Sequence, residues 1–171
     1  QRADLKSKGR TPDVLTMTST PIPRTLYLTR VVDLSISTIR QRPVGHGTIV
    51  TRVTGEENRE KVYGVLRREI DRGRQVFVVY PLVEESEKLD LKAATQMAAD
   101  LAAHPLFAGQ RVGLLHGRMK SPEKAAVLDA FRAGDIPLLV TTTVVEVGID
   151  VPNATVMLIE HPDRFGLSQL H

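Results

Sequence analysis

Val76-Phe77-Val78-Val79-Tyr80 is apolar on both parities and rich in β-branched residues, so a strand made from it must be covered on both faces. A sheet with one wet face alternates apolar and polar residues instead. Cover on both faces calls for crossover helices between parallel strands, and the chain from residue 48 onward alternates accordingly. Thr48–Val53 reads as a strand, and Thr54-Gly55-Glu56-Glu57 has the T-x-x-E form of a helix capping box. The helix that follows places Val62, Leu66 and Ile70 on one face and ends near Gly73. A strand over Gln75–Pro81 precedes an Ala-rich helix from about Asp90 to His104 and, after Pro105 and Gly109, a strand at Arg111–Leu115. Ser121-Pro122 supplies an N-cap and a proline at the first helical position of a helix running to Gly134, with Val127, Leu128 and Phe131 inward. Ile136–Thr141 and Thr155–Ile159 read as strands, with a short segment at Thr143–Val147 between them. The fold class expected is α/β, a doubly wound parallel sheet of about five strands.

Residues 1–47 do not share this rhythm. Asp13–Thr18 reads as a strand and Pro21–Thr29 as a proline-started helix, whereas Arg40-Gln41-Arg42-Pro43-Val44-Gly45-His46-Gly47 reads as a basic linker. Two regions are therefore expected, 1–42 and 43–171. Phe165 through His171 starts a helical pattern that simply stops, so both ends are expected to continue in a longer chain. With no Cys among 171 residues, disulfide and thiol chemistry are excluded. The apolar runs fall short of the ~18 residues of a membrane span, and no signal segment opens the chain, so the expectation is a soluble cytoplasmic protein with no membrane partner. The net charge of +3 is uneven: residues 1–75 carry 15 Lys and Arg against 8 Asp and Glu, residues 76–171 carry 8 against 12. A basic half points to a polyanionic partner, or only to a solvated surface.

In open α/β sheets, ligands gather beyond the carboxyl ends of the strands. After the strand at 111–115 comes His116-Gly117-Arg118-Met119, in which glycine permits close backbone approach and Arg118 can fork onto a phosphate. After the strand at 136–141 come Thr142 and Thr143, and the three hydroxyls of Thr141, Thr142 and Thr143 can donate to a phosphate that also meets a helix N-terminus. Capping a helix is the other use of such a threonine. Gly148-Ile149-Asp150 puts a carboxylate two residues past a glycine, a fit for a ribose hydroxyl. The chain has no G-x-x-x-x-G-K-[ST] loop, no Mg²⁺-holding acidic run after a strand and no G-x-S-x-G elbow, and its five His are scattered without metal-ligand spacing. No metal site is expected, and no complete catalytic set.

Met17-Thr18-Ser19-Thr20-Pro21-Ile22-Pro23-Arg24-Thr25, then Gly73 through Glu87, Val112 through Met119, Thr141 through Asn153 and Arg164 through His171 form an ordered set. In that order they resemble motifs III, IV, IVa, V and the approach to motif VI of superfamily 2 helicases, in particular the RecG-type ATP-dependent DNA helicases of bacteria. The transcription-repair coupling factors share T-P-I-P-R and F-G-L-x-Q-L-H, but residues 81–94 favour the RecG type. Ser19 replaces the usual alanine of motif III, and the basic Arg40-Gln41-Arg42 departs from a more acidic linker.

The resemblance implies a part of an ATP-dependent DNA helicase acting on branched or forked DNA in recombination and repair. Residues 1–42 then correspond to the tail of the first motor lobe, and 43–171 to most of the second, RecA-like lobe. It also implies roles: Thr18, Thr20 and Arg24 in coupling nucleotide state between lobes, Arg118, Thr141, Thr142 and Thr143 on the DNA backbone, and Gly148 and Asp150 in the ATP cleft. ATP and Mg²⁺ belong to the longer protein, with the Mg²⁺ ligands outside this chain, so the chain alone is expected to lack ATPase activity and to bind DNA weakly. Its partners are DNA and the first lobe of the same chain, at the nucleoid of a bacterial cytoplasm. A coupling-factor-like translocase lobe and a non-catalytic RecA-like module that docks a protein are the alternatives.

Overall fold

The computed structural model describes residues 48–81, 87–142 and 151–166, with positions 17, 37, 39 and 170. The chain divides into two units, Gln1–Thr48 with His171, and Ile49–Leu170, and the second contains every element below. Helix α1 (Arg59–Asp71) leads to strand β1 (Gln75–Tyr80), helix α2 (Glu87–Ala103), strand β2 (Val112–Leu115), helix α3 (Ser121–Ala133) and strands β3 (Leu138–Thr142) and β4 (Ala154–Ile159). The four strands lie parallel in the order β2-β3-β1-β4. Among the described residues no helix is long and apolar enough to cross a membrane.

The both-parity pattern of β1 is used on both sides. Val76 and Val78, with Leu138 and Val140 of β3, pack against Tyr63, Leu66 and Ile70 of α1, Ala94 and Leu101 of α2, and Phe107. Phe77, Leu139 and Leu115 face the other way, onto Phe131 of α3 and Ile136. The Phe77 and Phe131 rings stand 4.8 Å apart, tilted by 54°. Each such side chain taken out of water contributes roughly 1.5–3 kcal/mol, which makes these two apolar layers the main support of the sheet. Helices α1 and α3 stop where Gly73 (φ 76°) and Gly134 (φ 86°) turn left-handed, a conformation that releases the last carbonyls to the reversing chain at no Cβ cost.

Three expectations are corrected. Thr48–Val53 is not a strand: it is irregular and exposed, with Ile49, Val50 and Val53 at 76%, 71% and 90%. Its β-branched alternation suits a pleated surface, but a strand exists only where a partner strand and a covering face are available. The described sheet therefore has four strands rather than five. The capping box at Thr54 does not form either. Gly55 caps a 3-10 turn, Glu56–Asn58, without a side-chain bond, and the Glu57 carboxylate accepts from the Asn58 side-chain amide at 2.9 Å. At α3 the cap is Lys120 rather than Ser121. The Lys120 N–H donates to the Glu123 carboxylate at 3.0 Å, and Ser121 and Pro122 are the first two helical residues. The strand and helix expected within 13–29 lie outside the described residues except for Met17, and the segment at 143–147 lies wholly outside them.

Candidate functional site

Because all four strands are parallel, their carboxyl ends share one edge. Tyr80, His116, Thr142 and Glu160 arrive there, and the register pairs Leu115 with Thr141, Tyr80 with Thr142, and Val79 with Ile159. β3 is central, so its end lies between the ends of β2 and β1. The sheet thus brings Arg118, just past β2, to the strand end neighbouring Thr141 and Thr142.

The turn after β2 is held by local bonds. The Met119 N–H donates to the His116 carbonyl at 3.2 Å, the His116 N–H to the Met119 Sδ at 3.4 Å, and the Lys124 Nζ to the Gly117 carbonyl at 2.7 Å. Gly117, Arg118 and Lys120 are exposed. Burial, then the nearby Lys124 and Arg118 cations, hold the His116 imidazole below the usual histidine range, with Glu123 opposing. At neutral pH this ring is therefore uncharged. Its Nδ1 is buried without a hydrogen-bond partner, as is the Thr142 Oγ1. Thr141 and Thr142 are both fully buried, and the Thr141 hydroxyl donates to the Thr142 carbonyl at 2.9 Å. The turn after β2 is thus exposed, while Thr141 and Thr142 lie beneath the surface. Thr143, Gly148 and Asp150, and the motif III positions Thr18, Thr20 and Arg24, lie outside the described residues.

Another cluster at the same edge is not among the residues read from sequence. Glu160, directly after β4, is buried and receives both guanidinium nitrogens of Arg59, at 2.9 and 3.2 Å. Arg59 also donates to the Tyr63 hydroxyl at 3.0 Å and to Glu56, and these acceptors raise its affinity for its proton, Glu56 most of all. Beside it the Tyr80 hydroxyl lies 3.3 Å from the His161 Nε2, and burial followed by the Glu160 charge pushes the Tyr80 phenol up. His161 is the one non-glycine residue with positive φ among those described (φ 47°, ψ 56°). Such a conformation is uncommon and persists only when the surroundings hold it. The sequence signal is a Glu-His pair ending an apolar strand, and nothing in it names Arg59, 101 residues away.

The chemistry on offer is recognition. Cations ride on an exposed turn next to hydroxyls at a strand edge. Among the described residues no three His, Asp or Glu side chains gather as metal ligands. A cleft of about 330 Å³ lies at the opposite, amino edge between Arg74, Gln110, Arg111 and Asp135, away from the edge where open α/β sheets take their ligands.

The family model described as the helicase conserved C-terminal domain matches residues 57–171. The ATP-dependent DNA helicase RecG of Synechocystis is 53% identical over 171 residues, which is all of this chain and 20% of that protein. RecG of Streptococcus pneumoniae serotype 4 is 53% identical over 172 residues, all of this chain and 25% of that protein. The chain thus spans a fifth to a quarter of the length of these relatives. A solved structure of RecG bound to a three-way DNA junction superposes with a TM-score of 0.72 at 41% identity, over 96% of this chain and 21% of that one.

Proposed function

The chain belongs to the family of the helicase conserved C-terminal domain, and from that premise we propose that it is the second-lobe portion of a RecG-type ATP-dependent DNA helicase acting on branched DNA in recombination and repair. One observation carries this reading: the likeness to RecG runs the whole 171 residues at 53% identity, not just across the family's common core. Residues 1–42 are then the tail of the first lobe, with Thr18, Thr20 and Arg24 sensing nucleotide state, and 43–171 the second lobe. Gly148 and Asp150 line the ATP cleft from this side, and Mg²⁺ is held by residues outside this chain. The protein works at the nucleoid in a bacterial cytoplasm, with DNA and its own first lobe as partners.

Arg118 grips the DNA backbone from the turn after β2, and the strand-end hydroxyls of Thr141, Thr142 and Thr143 complete the contact. Its exposure and the neighbouring Lys120 and Lys124 support this role, since phosphate contacts are electrostatic and blind to sequence.

Fluorescence anisotropy of a labelled three-way junction, titrated with this chain at several salt concentrations, is the test. Binding is expected to be weak and to fall as salt rises. Arg118→Ala is expected to weaken it evenly across sequences and lower the salt slope by about 1. No anisotropy change at low ionic strength overturns the DNA reading, and binding indifferent to both Arg118→Ala and Thr142→Ala points to the docking module instead.

A further inference from the structure

His161 departs from two backbone preferences at once. It is left-handed (φ 47°, ψ 56°) without being a glycine, and it precedes Pro162, a position that favours extended backbone. Strain of this kind clusters at functional sites, where it presets a side chain. Here it sets the imidazole against the Tyr80 ring. The ring centroids lie 5.5 Å apart at an interplanar angle of 71°, and the Tyr80 hydroxyl is 3.3 Å from the His161 Nε2. The pair stands past the ends of β1 and β4, where the Glu160 N–H still donates to the Val79 carbonyl at 2.9 Å. Both side chains are half-buried. Tyr63, Phe77, Phe107 and Phe131 are buried, so among the described Tyr and Phe residues only Tyr80 and Phe165 reach solvent.

The surroundings decide what such a pair takes. Glu56 and Glu160 balance Arg59 and Arg164 around the Tyr80 ring, so this end of the edge has no positive excess and offers a phosphate little. A flat, neutral ring loses nothing to that balance and gains by stacking on an aromatic face. Nucleobases are such rings, and every base has a face to stack, whatever its sequence. We propose that Tyr80 and His161 form a stacking site for one unpaired nucleobase, an assignment that rests on the helicase reading above. The register puts Tyr80 opposite Thr142, so a DNA strand held at the ends of β2 and β3 passes within a strand width or two of the rings. ATP carries a base as well, and the two sources are separated by experiment.

The test uses the intact chain at low salt, with fluorescein-labelled oligothymidine and an abasic strand of the same length and charge. The abasic strand is expected to bind about tenfold more weakly, the loss of one stacked base. Tyr80→Leu and His161→Gly are expected to weaken oligothymidine binding to the same extent. Neither removes a phosphate contact, so the affinity for the abasic strand and the salt slope are expected to stay as they are. Tyr80→Phe, which keeps the ring, is expected to bind as the unaltered chain does. Glycine at 161 keeps the left-handed backbone, thermal melting monitors folding, and the abasic comparison needs no variant at all. ATP titrated against inorganic tripolyphosphate is the second arm: a preference for ATP that Tyr80→Leu removes, with oligothymidine unaffected, assigns the base to the nucleotide. Folded variants that bind oligothymidine and ATP as the unaltered chain does overturn the proposal. So does equal affinity for the two strands combined with equal affinity for ATP and tripolyphosphate, and in both cases the helicase reading stands. If the unaltered chain binds neither strand nor ATP, that reading fails together with this one.

Discussion

At the scale of single residues, the Arg59–Glu160 pair ties the first turn of α1 to the end of β4. Both partners are largely withdrawn from water, with side-chain exposures of 28% and 9%. Removing one partner strands the other, and a fully buried pair broken in this way costs about 3–5 kcal/mol. The residual exposure of the guanidinium moderates the loss, so Arg59→Ala is expected to cost about 2 kcal/mol, a fall of about 6 °C in Tm by calorimetry. Glu160→Gln, which keeps the hydrogen-bonding shape, is expected to cost less, and a Tm for Arg59→Ala within about 1 °C of the unaltered protein refutes the role. This pair was not legible in the sequence, since it exists only because β4 lies beside β1. Arg118 was legible, because any residue just after a strand of a parallel sheet must reach the carboxyl edge. The burial of Thr141 and Thr142 was not, for it depends on β3 lying between two other strands.

At the scale of elements, what could be read was whatever local chemistry decides. The helix ends at Gly73 and Gly134 are set by backbone freedom, and β1 by an apolar run that no one-faced sheet can use. Thr48–Val53 has the residues of a strand and lacks a partner, which no local pattern reports. Strand order is likewise a long-range property, and it explains the contrasting demands on two glycines. Gly113 lies in β2, where an added Cβ would come within 3.0 Å of both the Ile136 Cγ2 and the Leu139 Cδ1. Gly64 lies within α1, with open space where its Cβ would stand. Gly113→Ala is therefore expected to destabilise by about 1–2 kcal/mol through overpacking, and Gly64→Ala to stabilise by about 0.5–1 kcal/mol through helix propensity. Urea unfolding of the two variants checks both signs at once, and a neutral Gly113→Ala removes the claim that β2 and β3 are packed to this tightness.

At the scale of the whole molecule, charge and length acquire different meanings. The basic excess belongs to residues 1–75, whereas the proposed DNA contacts stand at strand ends in the more acidic remainder, so local placement of Arg118, Lys120 and Lys124 matters more than the sum. The relatives are four to five times as long as this chain, and the sequence holds no G-x-x-x-x-G-K-[ST] loop to cradle the phosphates of ATP. Phosphoryl transfer depends almost wholly on positioned charge around the γ-phosphate, so half of a cleft does not catalyse slowly but hardly at all. The chain alone is accordingly expected to show no ATP turnover above a protein-free control, with or without DNA, in a coupled phosphate-release assay. Saturable turnover that disappears in Asp150→Ala would place a complete hydrolytic site inside these residues, and the proposal that ATP is cleaved between this lobe and another would then fail.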